Sequence, residues 1–209
     1  LEELTQSFDI KRMSLGGPTF DLEKLKWLNG RYLREQLTQD EVVRRMIDWK
    51  INSGFMKKII PHALQRLESF SDFIPLTGFL FQDYPKLERT SLIGKFEASY
   101  ASKLIKVFEW ELEKIKSWNR EEICNLFQNL AEKEDKKLKE ILPLFFQVIT
   151  GENVSLPLFD SMEILGQDLV RLRLRKALDF LTAEGFGISK KGLKSLEKDY
   201  RLKYGDRID

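Results

Sequence analysis

The chain has 209 residues, with 35 Lys and Arg against 33 Asp and Glu, so its formal net charge is only +2. Its 42% hydrophobic residues suffice for one large or two small folded domains, which excludes a disordered protein. A single cysteine, Cys124, excludes an internal disulfide, and a single histidine, His62, leaves no imidazole pair for a zinc site.

The sequence has no uncharged apolar run near the ~18 residues that a membrane-spanning helix requires. It begins Leu-Glu-Glu-Leu, without a signal peptide or an initiator methionine. We therefore expect a cytoplasmic protein with no membrane partner, cut from a longer polypeptide.

Helices are predicted along most of the chain, because there are only 6 prolines and 12 glycines and few segments alternate at period two. Asp21 can cap a first helix that begins at Leu22. Thr38 and Glu41 have the spacing of a capping box at the start of a second helix. Residues 1–20 read as the end of a preceding domain.

A long one-sided helix is predicted from Lys95 to Lys116. Its apolar positions recur at spacings of four and three: Phe96, Tyr100, Leu104, Phe108, Leu112 and Ile115. Asn119 with Glu122 repeats the capping-box spacing for the next helix. A further helix is predicted over residues 136–149, and Thr150-Gly151 supplies its end.

The segment from Arg171 to Arg175 alternates at period two and would pass for a strand if taken alone. The wider window favours a helix, because Val170, Leu174 and Leu178 recur every four residues. Beyond Gly185, a last amphipathic helix is possible, and the sequence leaves open whether it packs on the body, binds RNA or stays disordered.

Catalytic patterns are missing from the sequence. No Gly-x-x-x-x-Gly-Lys-Ser/Thr motif is present to cradle phosphates. His62 follows Pro61, where a helix is predicted to start, and is interpreted as a helix-end or surface residue rather than a catalytic base. Paired acids such as Glu121-Glu122 fall in helix first turns, where they favour the helix dipole. No catalytic residue is therefore assigned.

Three segments, in matching order, resemble a known family. The first, Phe20 to Arg34, follows the pattern Phe-Asp-x-x-Lys-Leu-x-Trp-x-Asn-x-x-Tyr-Leu-Arg, and the second is the aromatic and acidic run Phe79 to Tyr84. The third comprises Thr150-Gly151, Pro157 to Phe159 and Ile164 to Gly166, followed by a basic helix. Over roughly residues 5–184 the chain resembles the C-terminal, anticodon-binding part of bacterial glutamyl-tRNA synthetases.

The resemblance implies an all-α fold in consecutive helical parts, without the family's catalytic Rossmann domain. The implied division is a stem-contact tail at 1–20, anticodon-binding subdomains at 21–85 and 86–184, and an extension at 185–209. Lys11-Arg-Met-Ser14 looks like the family's Lys-Leu/Met-Ser-Lys motif, but Leu15 replaces the second lysine. The resemblance instead implies that this segment is a structural end piece downstream of the true motif. The implied parent is a class I glutamate–tRNA ligase, monomeric, using ATP and Mg; this chain has no cofactor of its own, and alone it should be inactive.

The implied partner is tRNA(Glu), read at its anticodon. Unpaired bases are recognised by stacking on apolar side chains and by hydrogen bonds from Arg, Ser and backbone groups. The residues that match the family's base contacts are Arg66, Ser155, Leu156, Leu158 and Phe159, together with Phe146, which replaces the usual Arg before Thr-Gly. The candidates for phosphate contacts are Arg31, Arg34, Arg171 and Arg175, with Arg173 and Lys176 beside them.

More ordinary interpretations stand beside these. Trp27 is expected to pack in a core, and Asn29-Gly30 to end a helix. Arg66 and the basic residues near position 173 could simply be solvated. The alternative function is a helical protein-interaction module, since amphipathic helices and near-neutral charge are also typical of scaffolds.

Overall fold

The computed structural model describes residues 21–93, 97–152 and 155–205, and all regular structure within these ranges is helical. The predicted all-α fold is therefore confirmed. The stem-contact tail, with Lys11 to Ser14, lies outside the described residues. The chain separates into two compact units, Leu1–Asn52 and Ser53–Asp209. The functional boundary near Pro85 remains a prediction.

The first unit is built from two capped helices, α1 (Leu22–Glu35) and α2 (Gln39–Met46), followed by a π-helical turn (Ile47–Ile51). The Asp21 carboxylate accepts hydrogen bonds from the N–H groups of Glu23 and Lys24, each at 3.0 Å. Thr38 and Glu41 form both bonds of the predicted capping box. Both helices therefore begin where the capping residues in the sequence predict that they begin.

Two sequence-based expectations for α1 are wrong. Asn29-Gly30 does not end the helix, because Gly30 keeps a helical backbone and α1 continues to Glu35. Trp27 is not in a core of this chain, since it is 55% exposed. The guanidinium of Arg31 lies over its indole ring instead, 5.2 Å from the ring centre.

The second unit contains the remaining described helices. The first is α3 (Ser53–Ala63), and a short α4 (Phe73–Thr77) lies between two 3-10 turns, Phe70–Asp72 and Gly78–Phe81. The others are α5 (Arg89–Ile93), α6 (Ala98–Leu112), α7 (Arg120–Lys133), α8 (Leu138–Thr150), α9 (Leu158–Leu165), α10 (Gln167–Ala183) and α11 (Lys190–Tyr204).

Helix boundaries in this unit follow local chemistry. The period-two run of residues 171–175 lies within α10, so the predicted helix is confirmed. Asn119 caps α7, and its side chain accepts from the N–H of Glu122 at 2.9 Å. The helix predicted from Lys95 to Lys116 ends earlier, at Leu112, because the next N–H groups bond three residues back in tight turns. Pro61 lies in the last turn of α3, so the expectation that a helix starts there is wrong.

The core is centred on α6, which packs against α10 along much of its length and also contacts α7. Three buried rings, Phe108, Phe127 and Phe145, join α6, α7 and α8 with centroid separations of 4.4 to 5.0 Å. Aromatic pairs at such distances stabilise a core beyond the burial of their area. None of the helices among the described residues could cross a membrane.

The last helix, α11, packs on the body, which is one of the possibilities that the sequence left open. Tyr200 is 1% exposed and stacks edge-on against Trp110 of α6. Its hydroxyl donates to the Glu111 carboxylate at 2.5 Å. Lys114 donates to the carbonyl of Tyr204 at 2.9 Å, so the end of α11 is also held.

Candidate nucleic-acid interface

Arg66 and the loop that leads into α9 lie together. Arg66 follows α3, and its Nη1 donates a hydrogen bond to the backbone carbonyl of Ser155, 89 residues away. The Arg66 side chain is otherwise exposed, and it has no further hydrogen-bond or ion-pair partner among the described residues. The other guanidinium N–H groups are therefore free to donate to a ligand.

Three of the predicted base contacts are buried. Ser155 and Leu156 are 0% exposed and Leu158 is 8% exposed. The resemblance implies that they touch bases, but in this conformation their side chains offer no surface for stacking. The Ser155 hydroxyl oxygen is buried without a hydrogen-bond partner among the residues that the structure describes. Contact with a base at this loop would therefore run through backbone groups.

Phe159 and Phe146 are half-buried. The Phe159 ring lies 5.3 Å from that of Phe127, which fixes it from below. Phe146 lies in the last part of α8, where its carbonyl accepts from the Thr150 hydroxyl at 2.9 Å. Both rings retain partial exposure near the end of α8 or the start of α9, where an unpaired base could stack.

A shallow pocket of about 340 Å³ opens beside Arg66, lined also by Glu68, Asp72, Pro75 and Leu76. Asp72 accepts hydrogen bonds from Ser69 and from the N–H group of Glu68, and these bonds hold the pKa of Asp72 below its ordinary value. The pocket therefore combines a cationic donor, carboxylate acceptors and an apolar floor, which are the groups that read a base edge.

Arg173 is not the solvated or phosphate-binding residue that the sequence suggests. It is 0% exposed, and its guanidinium donates to four backbone carbonyls. Three belong to the Phe79–Tyr84 segment: Phe79 at 2.7 Å, Gln82 at 2.6 Å and Asp83 at 3.1 Å. The fourth is the carbonyl of Ile149 in the last turn of α8.

Gly151 completes the junction between these two segments. It ends α8 in a left-handed conformation with φ of 71°, as the Thr-Gly pair predicts. A Cβ atom at this position would lie 2.5 Å from the Cβ atom of Pro85. The chain can turn here only because the residue has no side chain.

The phosphate candidates on α10 already have anionic neighbours. Arg171 pairs with Glu113 at 2.6 Å and Asp168 at 3.2 Å and is 25% exposed. Arg175 is 59% exposed and pairs with Glu109 at 2.9 Å. Arg175 therefore keeps more surface than Arg171 for a phosphate, and both remain predictions.

The candidates of the first unit lie on α1. Arg31 forms a bidentate pair with Glu35, with contacts of 2.6 to 3.1 Å. That pairing raises the pKa of Arg31 and lowers the pKa of Glu35. Arg34 is exposed one turn from Gly30. Both stay predictions as phosphate contacts.

The family described as "Anticodon binding domain" matches residues 33–178. The chain belongs to this family. The match begins inside α1 and ends inside α10, so it includes Arg66, the Ser155 loop and Arg173, and it leaves out α11.

Relatives of this anticodon-binding domain include glutamate–tRNA ligases. The chain is 44% identical to the enzyme of Pseudomonas putida (strain GB-1) over 199 residues, covering 95% of this chain and 39% of that protein. It is 39% identical to the enzyme of Pseudoalteromonas translucida over 202 residues, covering 40% of that protein. The predicted resemblance is thus confirmed, and the chain spans about two fifths of the length of these relatives.

A solved structure supports the fold. The crystal structure of a glutamate tRNA ligase from Elizabethkingia meningosepticum, in complex with its amino acid, matches with a TM-score of 0.56. The sequence identity is 21%, and the match covers 86% of this anticodon-binding domain and 36% of that chain.

The other pocket residues beside Arg66 were not predicted from the sequence. Ser69 and Asp72 have the spacing of a capping box, and both of its hydrogen bonds are present in the structure. That spacing could have predicted a short helical turn after Arg66. Among the described residues, no group of His, Cys, Asp and Glu side chains could hold a metal ion.

Proposed function

We propose that this anticodon-binding domain recognises the anticodon of tRNA(Glu) as the C-terminal part of a glutamate–tRNA ligase. The parent enzyme would be a cytoplasmic, monomeric class I synthetase that joins glutamate to tRNA. Its catalytic part would hold ATP and Mg, and this chain alone would be inactive. The comparisons give no support to the alternative of a protein-interaction module.

The observation that carries the proposal is the hydrogen bond from Arg66 to the carbonyl of Ser155. It joins the two segments that match the family's base-contacting positions, although they are far apart in sequence. Beside this bond lie the free guanidinium donors of Arg66 and the carboxylates of Glu68 and Asp72, and the half-buried ring of Phe159 follows Ser155 by four residues. Hydrogen bonds and stacking of this kind are how proteins read single-stranded bases.

The roles in this proposal follow from exposure. Arg66 donates to the edge of the first anticodon base, and the backbone of the loop before α9, with Phe159, meets the other two bases. Leu156 and Leu158 support that loop from the core. Arg175, together with Arg31 and Arg34, contributes phosphate contacts, which position an RNA without reading its sequence.

The test is a binding titration of the chain with tRNA(Glu) and with a variant altered only at its three anticodon bases. We expect the variant to bind more weakly. Equal affinity for the two RNAs would contradict anticodon recognition.

Arg66→Ala should weaken binding of the cognate RNA by about 1 to 3 kcal/mol, the range for one good base contact. It should also remove the preference at the first anticodon position. Arg201→Ala is the matched control, because it removes the same charge from an exposed position on α11. An unchanged base preference in Arg66→Ala would exclude Arg66 as a reader.

A further inference from the structure

Arg173 is a buried cation without an ion-pair partner among the described residues. All four of its hydrogen-bond acceptors are backbone carbonyls, those of Phe79, Gln82, Asp83 and Ile149. Burial lowers the pKa of Arg173 to about 10, so the guanidinium remains charged at neutral pH. Burying a charge is costly unless it is fully hydrogen-bonded, so these carbonyls are what make its position tenable.

The carbonyls belong to two segments that meet at one point. Ile149 lies in the last turn of α8, where the helix dipole is negative and favours a cation. The other three form the end of the 3-10 turn that follows α4 and the residues after it. A Cβ atom on Gly151 would lie 2.5 Å from the Cβ atom of Pro85, so the two segments also approach each other closely beyond the carbonyls that Arg173 binds.

Both segments lead into the candidate interface. The chain after Gly151 reaches Ser155 within four residues, and Ser155 accepts the hydrogen bond from Arg66. The segment before Phe79 contains Asp72, Pro75 and Leu76, which line the pocket beside Arg66. The loop is thus fixed at one end by Arg173 and at the other by Arg66.

We propose that Arg173 is a positioning residue for anticodon recognition. It holds the end of α8 against the Phe79–Tyr84 segment, so that the Ser155 loop meets Arg66. It acts without touching RNA, since it has no exposed surface. The inference rests on the proposed function of the loop.

An arginine suits this role and a lysine does not. The guanidinium is planar and carries five N–H donors in a fixed arrangement, whereas an ammonium group is a compact point charge. Four carbonyls from two segments can be reached together only by a branched donor. Arg173→Lys should therefore keep the charge and lose the geometry.

The experiment compares Arg173→Lys and Arg173→Met with the unaltered chain. The quantity is the ratio of affinities for tRNA(Glu) and for the RNA altered at its anticodon bases, measured where circular dichroism shows each protein to be folded. We expect the ratio to fall about tenfold in both variants, as for the loss of one base contact. The salt dependence of binding should stay unchanged, because no phosphate contact is removed.

Tyr200→Phe is the control for a merely structural effect, because it also removes a buried hydrogen bond but lies on α11. It should keep the full ratio. Amide hydrogen exchange gives a readout without RNA: exchange should quicken around Ile149 and Gly151 in the Arg173 variants and stay unchanged in α11.

The outcomes separate the two proposals. If both folded Arg173 variants discriminate between the RNAs as well as the unaltered chain does, the positioning role is overturned and the proposed function stands. If the unaltered chain itself does not discriminate, the proposed function fails and this inference fails with it. Should Arg173→Met not fold, Arg173→Lys alone decides.

Discussion

At the scale of single residues, the junction between α8 and the segment that ends at Pro85 requires a glycine at position 151. Gly151 has both a left-handed backbone and a neighbour, Pro85, in the space of its missing Cβ. Gly185 has a similar φ of 86°, but nothing lies within 4 Å of its missing Cβ. A comparison of the two glycines therefore separates the cost of a left-handed backbone from the cost of a steric clash with Pro85.

Gly151→Ala should lower the free energy of unfolding by about 2 to 4 kcal/mol, combining the cost of a left-handed backbone with that of overpacking. Gly185→Ala should cost only about 1 to 2 kcal/mol, from the backbone alone. Urea denaturation of the two variants measures both values. Equal losses would show that Pro85 moves away without cost.

Single residues also mark where sequence reasoning succeeds and fails. Thr38 and Glu41 were predictable, because a capping box depends only on spacing along the chain. Asn29-Gly30 misled, because a helix ends at glycine only where the surrounding structure favours a left-handed residue, and here α1 continues. The role of Arg173 could not be predicted from the sequence, since three of its hydrogen-bond acceptors lie 90 or more residues away along the chain.

At the scale of helices, α6 and α10 are joined by an ion pair to a buried carboxylate. Glu109 is 5% exposed and accepts from Lys106 at 2.6 Å and from Arg175 at 2.9 Å. Burial alone would raise the pKa of Glu109, but the two cationic donors outweigh that effect and hold the pKa below its ordinary value. The pair with Arg175 is the one that crosses between the helices.

The ion pairs of Glu109 predict a pH dependence. Because the folded pKa of Glu109 is depressed, its stabilisation is present above the unfolded pKa and is lost as the pH falls through the folded value. Glu109→Gln should therefore lose stability at neutral pH, and its deficit should shrink in acid. Urea denaturation of both proteins between neutral and acidic pH measures the difference, with exposed Glu132→Gln as control. A deficit that is constant with pH would contradict the assignment.

The packing of α11 on α6 gives a second test at this scale. Tyr200→Phe removes the hydrogen bond to the Glu111 carboxylate and keeps the ring, so it should cost about 1 to 3 kcal/mol. Leu202 on the same helix is 80% exposed, so Leu202→Ala should change the free energy of unfolding by less than about 0.5 kcal/mol. Thermal denaturation of both compares them directly. Equal midpoints would mean that the hydroxyl contributes nothing to the docking.

At the scale of the whole molecule, the small net charge of +2 constrains how RNA is bound. Affinity cannot come from a uniformly basic surface, so it must come from a limited set of cations near the interface. A plot of log affinity against log salt concentration should have a negative slope, which steepens by about 0.7 to 0.9 for each phosphate contacted. Titrations at several KCl concentrations measure the number of contacts, and a flat response would contradict RNA binding.

The same scale shows what patterns can predict. The helical class, the order of the helices and the family were predictable, because apolar spacing and motif order are written along the chain. The burial of Leu156 and Leu158 was not, since a loop next to a Pro could equally face solvent. The direction in which that loop faces depends on how α9 packs in the folded protein, where it contacts α7 and α10 among other elements.

The packing of α11 on α6 has a consequence for the design of a shorter RNA-binding fragment of this chain. A truncation at residue 178, where the family match stops, would cut through α10 and delete α11. Trp110 and Glu111 would then be uncovered on the flank of the central helix. Such a fragment should be poorly soluble, so a minimal version is better ended after Tyr204 than at the family border.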